Sequence, residues 1–132
     1  MRGLVGDPSP TMRRIYASAL RDAGCDQIVS VSDGKEALAQ ASPDTALVIA
    51  DLDLPAINGI ELTRRLRANA ETASVPVLIV TGRDDEEDVR AARDAAASGY
   101  LLRPFALEEL RLRIEALLPR EASSGESRPV ES

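Results

Sequence analysis

The sequence predicts a doubly wound α/β sandwich in which five parallel strands alternate with five helices. Three observations carry this. Five short apolar runs recur, at Gly3–Gly6, Gln27–Val31, Ala46–Ala50, Val75–Val80 and Gly99–Leu102. They are rich in Val, Ile and Leu, and the middle ones are apolar almost without interruption, as in strands covered on both faces. The segments between them carry helical spacing, and right-handed crossovers then place helices on both faces of one sheet.

The first helix opens with Ser9 as N-cap and Pro10 at its first position, and Gly24 stops it. Met12, Ile15, Ala19 and Ala23 form its expected apolar face. The second helix runs from about Asp33 to Ala41, and the third from Asn58 to about Ala70 with Ile60, Leu62 and Leu66. The fourth, Asp85–Ala97, has Val89 as its one large apolar residue among alanines and charges. It should bury little area and be the most weakly anchored helix. Its acidic start, Asp84-Asp85-Glu86-Glu87-Asp88, suits the positive end of a helix dipole better than a metal. The fifth, Leu107–Leu118, aligns Leu107, Leu110, Ile114 and Leu117. Residues 1–118 thus form one expected domain. From Pro119 to Ser132 the composition turns to Pro, Glu, Ser, Gly and Arg, which reads as a disordered tail or the start of a linker.

Composition narrows the function. The 132 residues suit a single core, and the formal charge of −6 offers no basic footprint, so direct nucleic-acid binding is not expected. No apolar run approaches the ~20 residues of a membrane span. Asp7, Pro8 and Pro10 interrupt the N-terminus before a signal-peptide core develops, so a cytoplasmic location is expected. Histidine is absent. That excludes a histidine phosphocarrier, a Ser-His-Asp hydrolase and a histidine-ligated zinc site. Cys25 is the single cysteine and reads as a small apolar filler. Lys35 is the single lysine, so any other role that prefers lysine falls to another residue.

In open α/β sheets function gathers at the carboxyl ends of the strands. The residues there are Asp7 and Pro8, Asp51, Thr81 and Gly82, and Arg103 and Pro104. Two acids, a small hydroxyl and a cation therefore meet at one edge. Metal-assisted phosphoryl chemistry needs such a set: a carboxylate nucleophile, oxygen ligands for a hard cation, and donors for the phosphoryl oxygens.

Over Met1–Leu118 these residues resemble bacterial response-regulator receiver domains. The run Asp51-Leu52-Asp53-Leu54-Pro55-Ala56-Ile57-Asn58-Gly59 resembles the family's phosphoacceptor loop entering the third helix. Val80-Thr81-Gly82 resembles the end of its fourth strand, and Gly99-Tyr100-Leu101-Leu102-Arg103-Pro104-Phe105 the end of its fifth. The resemblance implies a flavodoxin-like strand order 2-1-3-4-5 and a role in a two-component phosphorelay. Asp51 would take a phosphoryl group from a histidine kinase, a phosphotransfer protein or a small phosphodonor. Asp7, Asp51 and the backbone carbonyl of Asp53 would hold Mg²⁺. Thr81 would bond a phosphoryl oxygen, Tyr100 would reorient with it, and Arg103-Pro104 would be a cis peptide. The face of the fourth helix, fifth strand and fifth helix would meet a downstream protein or a second copy in a homodimer.

Two positions depart from the family's pattern. Receivers carry two adjacent acids after the first strand; aligned without gaps the second is Pro8, and with one inserted residue Asp7 is the second and Gly6 the first. One acid is missing either way, and losing a ligand should weaken Mg²⁺ by roughly 10–100-fold. Arg103 stands where the family has lysine, presenting a planar fork that can clamp Asp51 or swing onto a phosphoryl group.

Two other functions compete. A pseudo-receiver would keep the fold as a phosphorylation-independent docking module; Pro8 and Arg103 favour it, while Asp51, Thr81 and Pro104 argue against it. Asp51-Leu52-Asp53 also resembles the Asp-x-Asp motif of haloacid-dehalogenase-like phosphatases. That motif usually follows the first strand, however, and those enzymes generally carry a cap. The expectation is a signalling receiver that is no enzyme beyond its own phosphorylation and dephosphorylation.

Overall fold

The computed structural model describes residues 1–119. The tail expected over Pro119–Ser132 therefore lies, apart from Pro119, outside the described residues. Strands β1 (Arg2–Gly6), β2 (Gln27–Val31), β3 (Thr45–Asp51), β4 (Val77–Thr81) and β5 (Gly99–Leu102) alternate with helices α1 (Pro10–Asp22), α2 (Gly34–Gln40), α3 (Gly59–Ala68), α4 (Glu86–Asp94) and α5 (Leu107–Leu117). The strands form one parallel sheet in the order β2-β1-β3-β4-β5. The doubly wound topology is as the sequence predicts.

Period-two alternation divides the core. Leu4, Val48, Ala50, Val77 and Ile79 face α2, α3 and α4, packing on Ala37, Ile60, Leu62, Leu66 and Ala92. Val5, Leu47, Ile49, Leu78, Val80 and Leu101 face α1 and α5, packing on Tyr16, Leu20, Leu110 and Ile114. Every residue of β3 is buried, which explains its unbroken apolar run. Cys25 lies buried in the second cluster, as its filler role requires.

Boundaries differ in instructive places. The fourth apolar run starts two residues before β4, because Pro76 lacks the N–H a ladder needs and only its carbonyl is used, by Val48 N at 2.9 Å. The buried face of α1 centres on Tyr16 and Leu20, with Ala17 and Ala19, while Met12, Ile15 and Ala23 are only partly covered. Tyr16 can be fully buried because its hydroxyl finds a partner there. Leu107 is 63% exposed and leaves the expected α5 stripe, at the first turn of the helix. Ser9 caps α1 by accepting from Met12 N, Asn58 caps α3 and Asp85 caps α4. Gly24 follows α1 with φ at 113°, a conformation that favours glycine.

α4 buries only Ala92 within the helix, in keeping with its alanine-rich sequence. Beneath it lies a recess of about 210 Å³ lined by Val89, Ala92, Arg93, Ala97, Gly99 and Tyr100.

Candidate functional site at the carboxyl edge of the sheet

Strand register sets the site. Gly6 pairs with Ala50, Asp51 with Val80, and Thr81 with Leu102, so the ends of β1, β3, β4 and β5 reach one edge together. Asp51 and Thr81 are the last residues of their strands, and Asp7 and Arg103 are the first beyond theirs. Gly59 starts α3 so close to this edge that a Cβ would lie 2.8 Å from the Asp51 carbonyl oxygen, which only glycine permits.

Asp51 is 4% exposed. Its Oδ1 accepts a hydrogen bond from Arg103 Nη2 at 3.1 Å. Its Oδ2 accepts none from the described residues. Burial raises the Asp51 pKa, the neighbouring Asp7 charge raises it further, and Arg103 opposes both.

Asp7 is 2% exposed and fully engaged. Oδ1 accepts from Ser9 N at 2.8 Å, in an Asx turn that leads into α1. Oδ2 accepts from Tyr16 Oη at 3.3 Å and from Arg103 Nη1 at 3.5 Å. Burial, reinforced by the Asp7 charge, pushes the Tyr16 phenol well up, so it stays a donor. Arg13 Nη1 donates to the Asp7 carbonyl at 2.6 Å. Arg103 thus does not clamp Asp51 with both arms; it gives one nitrogen to each acid. The Arg103-Pro104 peptide is cis.

Thr81 is fully buried, and its Oγ1 accepts from Arg83 N at 3.1 Å, leaving its proton to give. The Asp53 carboxylate lies outside the cluster: its Oδ2 accepts from Arg83 Nη1 at 3.0 Å, and Arg83 also pairs with Asp88 of α4 at 3.1 Å. Tyr100 packs against the core cluster that holds Ala92 and Ala95, with its Oη buried and unpartnered. Burial raises its pKa, with the Asp88 charge adding to the effect.

The structure therefore brings together Asp7, Asp51, Thr81 and Arg103, and keeps Asp53's side chain to one side. Sequence reasoning missed Tyr16 and Arg83. Tyr16 lies four residues before Leu20 and after Met12, so helical spacing alone could have placed it on the buried face. Nothing in the sequence marks Arg83 among the many arginines.

As they stand, these side chains do not make a Mg²⁺ site. Among the described residues no three acids converge, Pro8 offers no side-chain oxygen, and a guanidinium already joins the two buried carboxylates.

A family model of the response regulator receiver domain matches residues 4–115. The chain belongs to that family. It is 32% identical to chemotaxis protein CheY-3 of Vibrio cholerae over 121 residues, covering 91% of this chain and 93% of that one. The solved structure of the chemotaxis response regulator CheY4 of Vibrio cholerae superposes with a TM-score of 0.78 at 28% identity, covering 89% of this chain and 98% of that one. The receiver domain of a sensor histidine kinase from Pseudomonas aeruginosa shares the fold, with a TM-score of 0.75, 24% identity and coverage of 88% and 95%. That structure has a magnesium ion coordinated in its active-site cleft. This chain is a receiver domain of two-component signalling and not an enzyme acting on a separate substrate, which sets the phosphatase reading aside. Membership implies a histidine kinase partner, and receiver domains typically bind Mg²⁺ in the active site. No helix among the described residues is long and apolar enough to cross a membrane.

Proposed function

We propose that Asp51 is the phosphoacceptor of this receiver domain, and that the unit spans residues 1–118. The observation that carries the reading is the asymmetry of the carboxylate. Oδ1 is held by Arg103, which orients the group, while Oδ2 accepts no hydrogen bond from the described residues. Oδ2 attacks the phosphorus of a phosphohistidine, a P–O bond forms as the P–N bond breaks, and the imidazole takes up a proton as it leaves. Thr81 donates its hydroxyl proton to a phosphoryl oxygen. Arg103 turns from Oδ1 to the phosphoryl group, for which a planar fork is well shaped. Electrostatic donors aimed at developing charge are the main catalytic resource in such transfers.

Tyr100 and α4 carry the response. The unpartnered Tyr100 hydroxyl, the recess under α4 and that helix's scant burial support a surface that shifts when Thr81 is drawn toward the phosphoryl group. The face of α4, β5 and α5 is the proposed meeting place for a downstream protein or a second copy of the chain.

The Arg103 bridge and Pro8 favour a second reading, a docking module that works without phosphorylation. Incubating the chain with a small-molecule phosphodonor and measuring its intact mass decides between them. Addition of one phosphoryl group, lost in Asp51→Asn and accompanied by amide shifts at Thr81 and Tyr100, supports the phosphoacceptor. An unchanged mass, together with silence toward a beryllofluoride mimic, leaves the docking module.

A further inference from the structure

We infer that Arg103 is the resident cation of this site: its guanidinium, held between Asp7 and Asp51, fills the role of a metal ion and must leave before Mg²⁺ can bind. The inference deepens the receiver reading and rests on Asp51 and Asp7 forming its acidic pocket.

Two buried carboxylates side by side are costly unless a cation compensates them. Arg103 supplies that cation to both acids at once, at 3.1 Å from Asp51 and 3.5 Å from Asp7. A guanidinium keeps its proton at any ordinary pH, so the compensation is permanent and needs no metal. The planar fork makes the double contact possible, because its two terminal nitrogens point in different directions. A lysine ammonium is a single point and reaches one acid well or both poorly.

Asp7 is also poorly placed to change partners. One of its oxygens is taken by Ser9 N, and the other accepts from both Tyr16 and Arg103. A carboxylate oxygen has about two lone-pair sites, so a metal at Asp7 Oδ2 must displace one of those donors. Tyr16 acts here as a positioning residue that holds Asp7 toward Arg103. Mg²⁺ demands near-octahedral oxygen coordination, and Asp53, whose side chain pairs with Arg83, adds no carboxylate to help. Cation exchange at this site therefore gives up both Arg103 contacts and gains few ligands.

The test is a titration of the whole chain with Mg²⁺ alone, following the amide shifts of Asp7, Asp51 and Thr81. The wild type should show no saturation at millimolar Mg²⁺. Arg103→Met should bind at least about tenfold more tightly, the scale on which losing or gaining one supporting group changes metal affinity. Arg103→Lys should fall between the two, and it carries the test if the methionine variant does not fold. A purely structural role for Arg103 predicts no gain in affinity from either change. Saturation of the wild type at sub-millimolar Mg²⁺ would overturn the inference, as would variants that bind no more tightly than the wild type. No phosphodonor is present, so failure here leaves Asp51 as phosphoacceptor untouched. An Asp51 that takes no phosphoryl group equally leaves the resident cation standing.

Discussion

Two arginines flank Asp51, and each bridges a pair of acids with almost the same geometry. Arg103 joins Asp7 and Asp51 at 3.5 and 3.1 Å, and Arg83 joins Asp53 and Asp88 at 3.0 and 3.1 Å. Solvent separates them. The Asp7 and Asp51 side chains are 3% and 6% exposed, against 51% and 22% for Asp53 and Asp88. Distances alone would rank the Arg83 bridge first. Burial reverses that order, because breaking a buried pair strands a charge while breaking an exposed one returns both partners to water. The buried bridge sets the electrostatics of the phosphoacceptor edge, and the exposed one is a loose tie between the β3–α3 loop and α4.

The largest effect should come from removing the buried cation. Arg103→Met is expected to lower stability by about 2 kcal/mol at neutral pH without metal, below the range for a fully buried pair because the guanidinium is partly solvated. Urea denaturation checks this. Added Mg²⁺ should return part of the loss, since a second cation can then neutralise the acids. A negligible loss would show that water already compensates them.

Removing one of the two acids should act in the opposite direction. The Asp51 pKa is raised in the folded chain from its ordinary 3.8, so its ionised form opposes folding. That cost appears as pH rises past the ordinary value and is complete above the folded one. Asp51→Asn should therefore stabilise the chain at neutral pH, as a rise in its urea midpoint would show. In acid, where the wild-type carboxyl is protonated in both states, the gain should vanish. A gain that persists there would point to packing instead of charge.

The sheet, the helices and the four residues at its carboxyl edge were legible because each leaves a one-dimensional trace. Val, Ile and Leu runs mark buried strands, Ser9, Asn58 and Asp85 mark helix starts, and strand ends in an α/β fold must share an edge. The way those residues pair was not legible. Arg103 could have clamped Asp51 alone, and only the placement of β1 beside β3 puts Asp7 within reach of the other nitrogen. Tyr16 lay on a face that helical spacing marks, but its pairing with Asp7, nine residues away, left no trace in the sequence. Leu107 misled because a stripe reads the same whether or not other residues cover its end.

α4 belongs to the loose side of the comparison, and its end can be tightened. Ala96, just past the helix, has φ at 66°, where an L side chain crowds its own backbone. Ala96→Gly should relieve that crowding and stabilise the chain by up to about 1 kcal/mol. Hydrogen exchange in the wild type should show α4 amides opening more readily than those of α1. Equal protection would remove the case for α4 as the moving face.

The smallest effect should come from Arg83→Met. Its guanidinium pairs are half exposed, and in water the cost of fixing such long side chains offsets most of the attraction. The contact that matters for the loop is the Arg83 backbone N–H to Thr81 Oγ1, which methionine keeps, and Asp85 still caps α4. Stability should therefore change by no more than about 0.5 kcal/mol, and high salt should shrink even that. A loss as large as that of Arg103→Met would mean that the start of α4 depends on this bridge. Solvent exposure would then not rank the two arginines, and the switch surface would be tied to the acidic loop by charge as well as by Thr81.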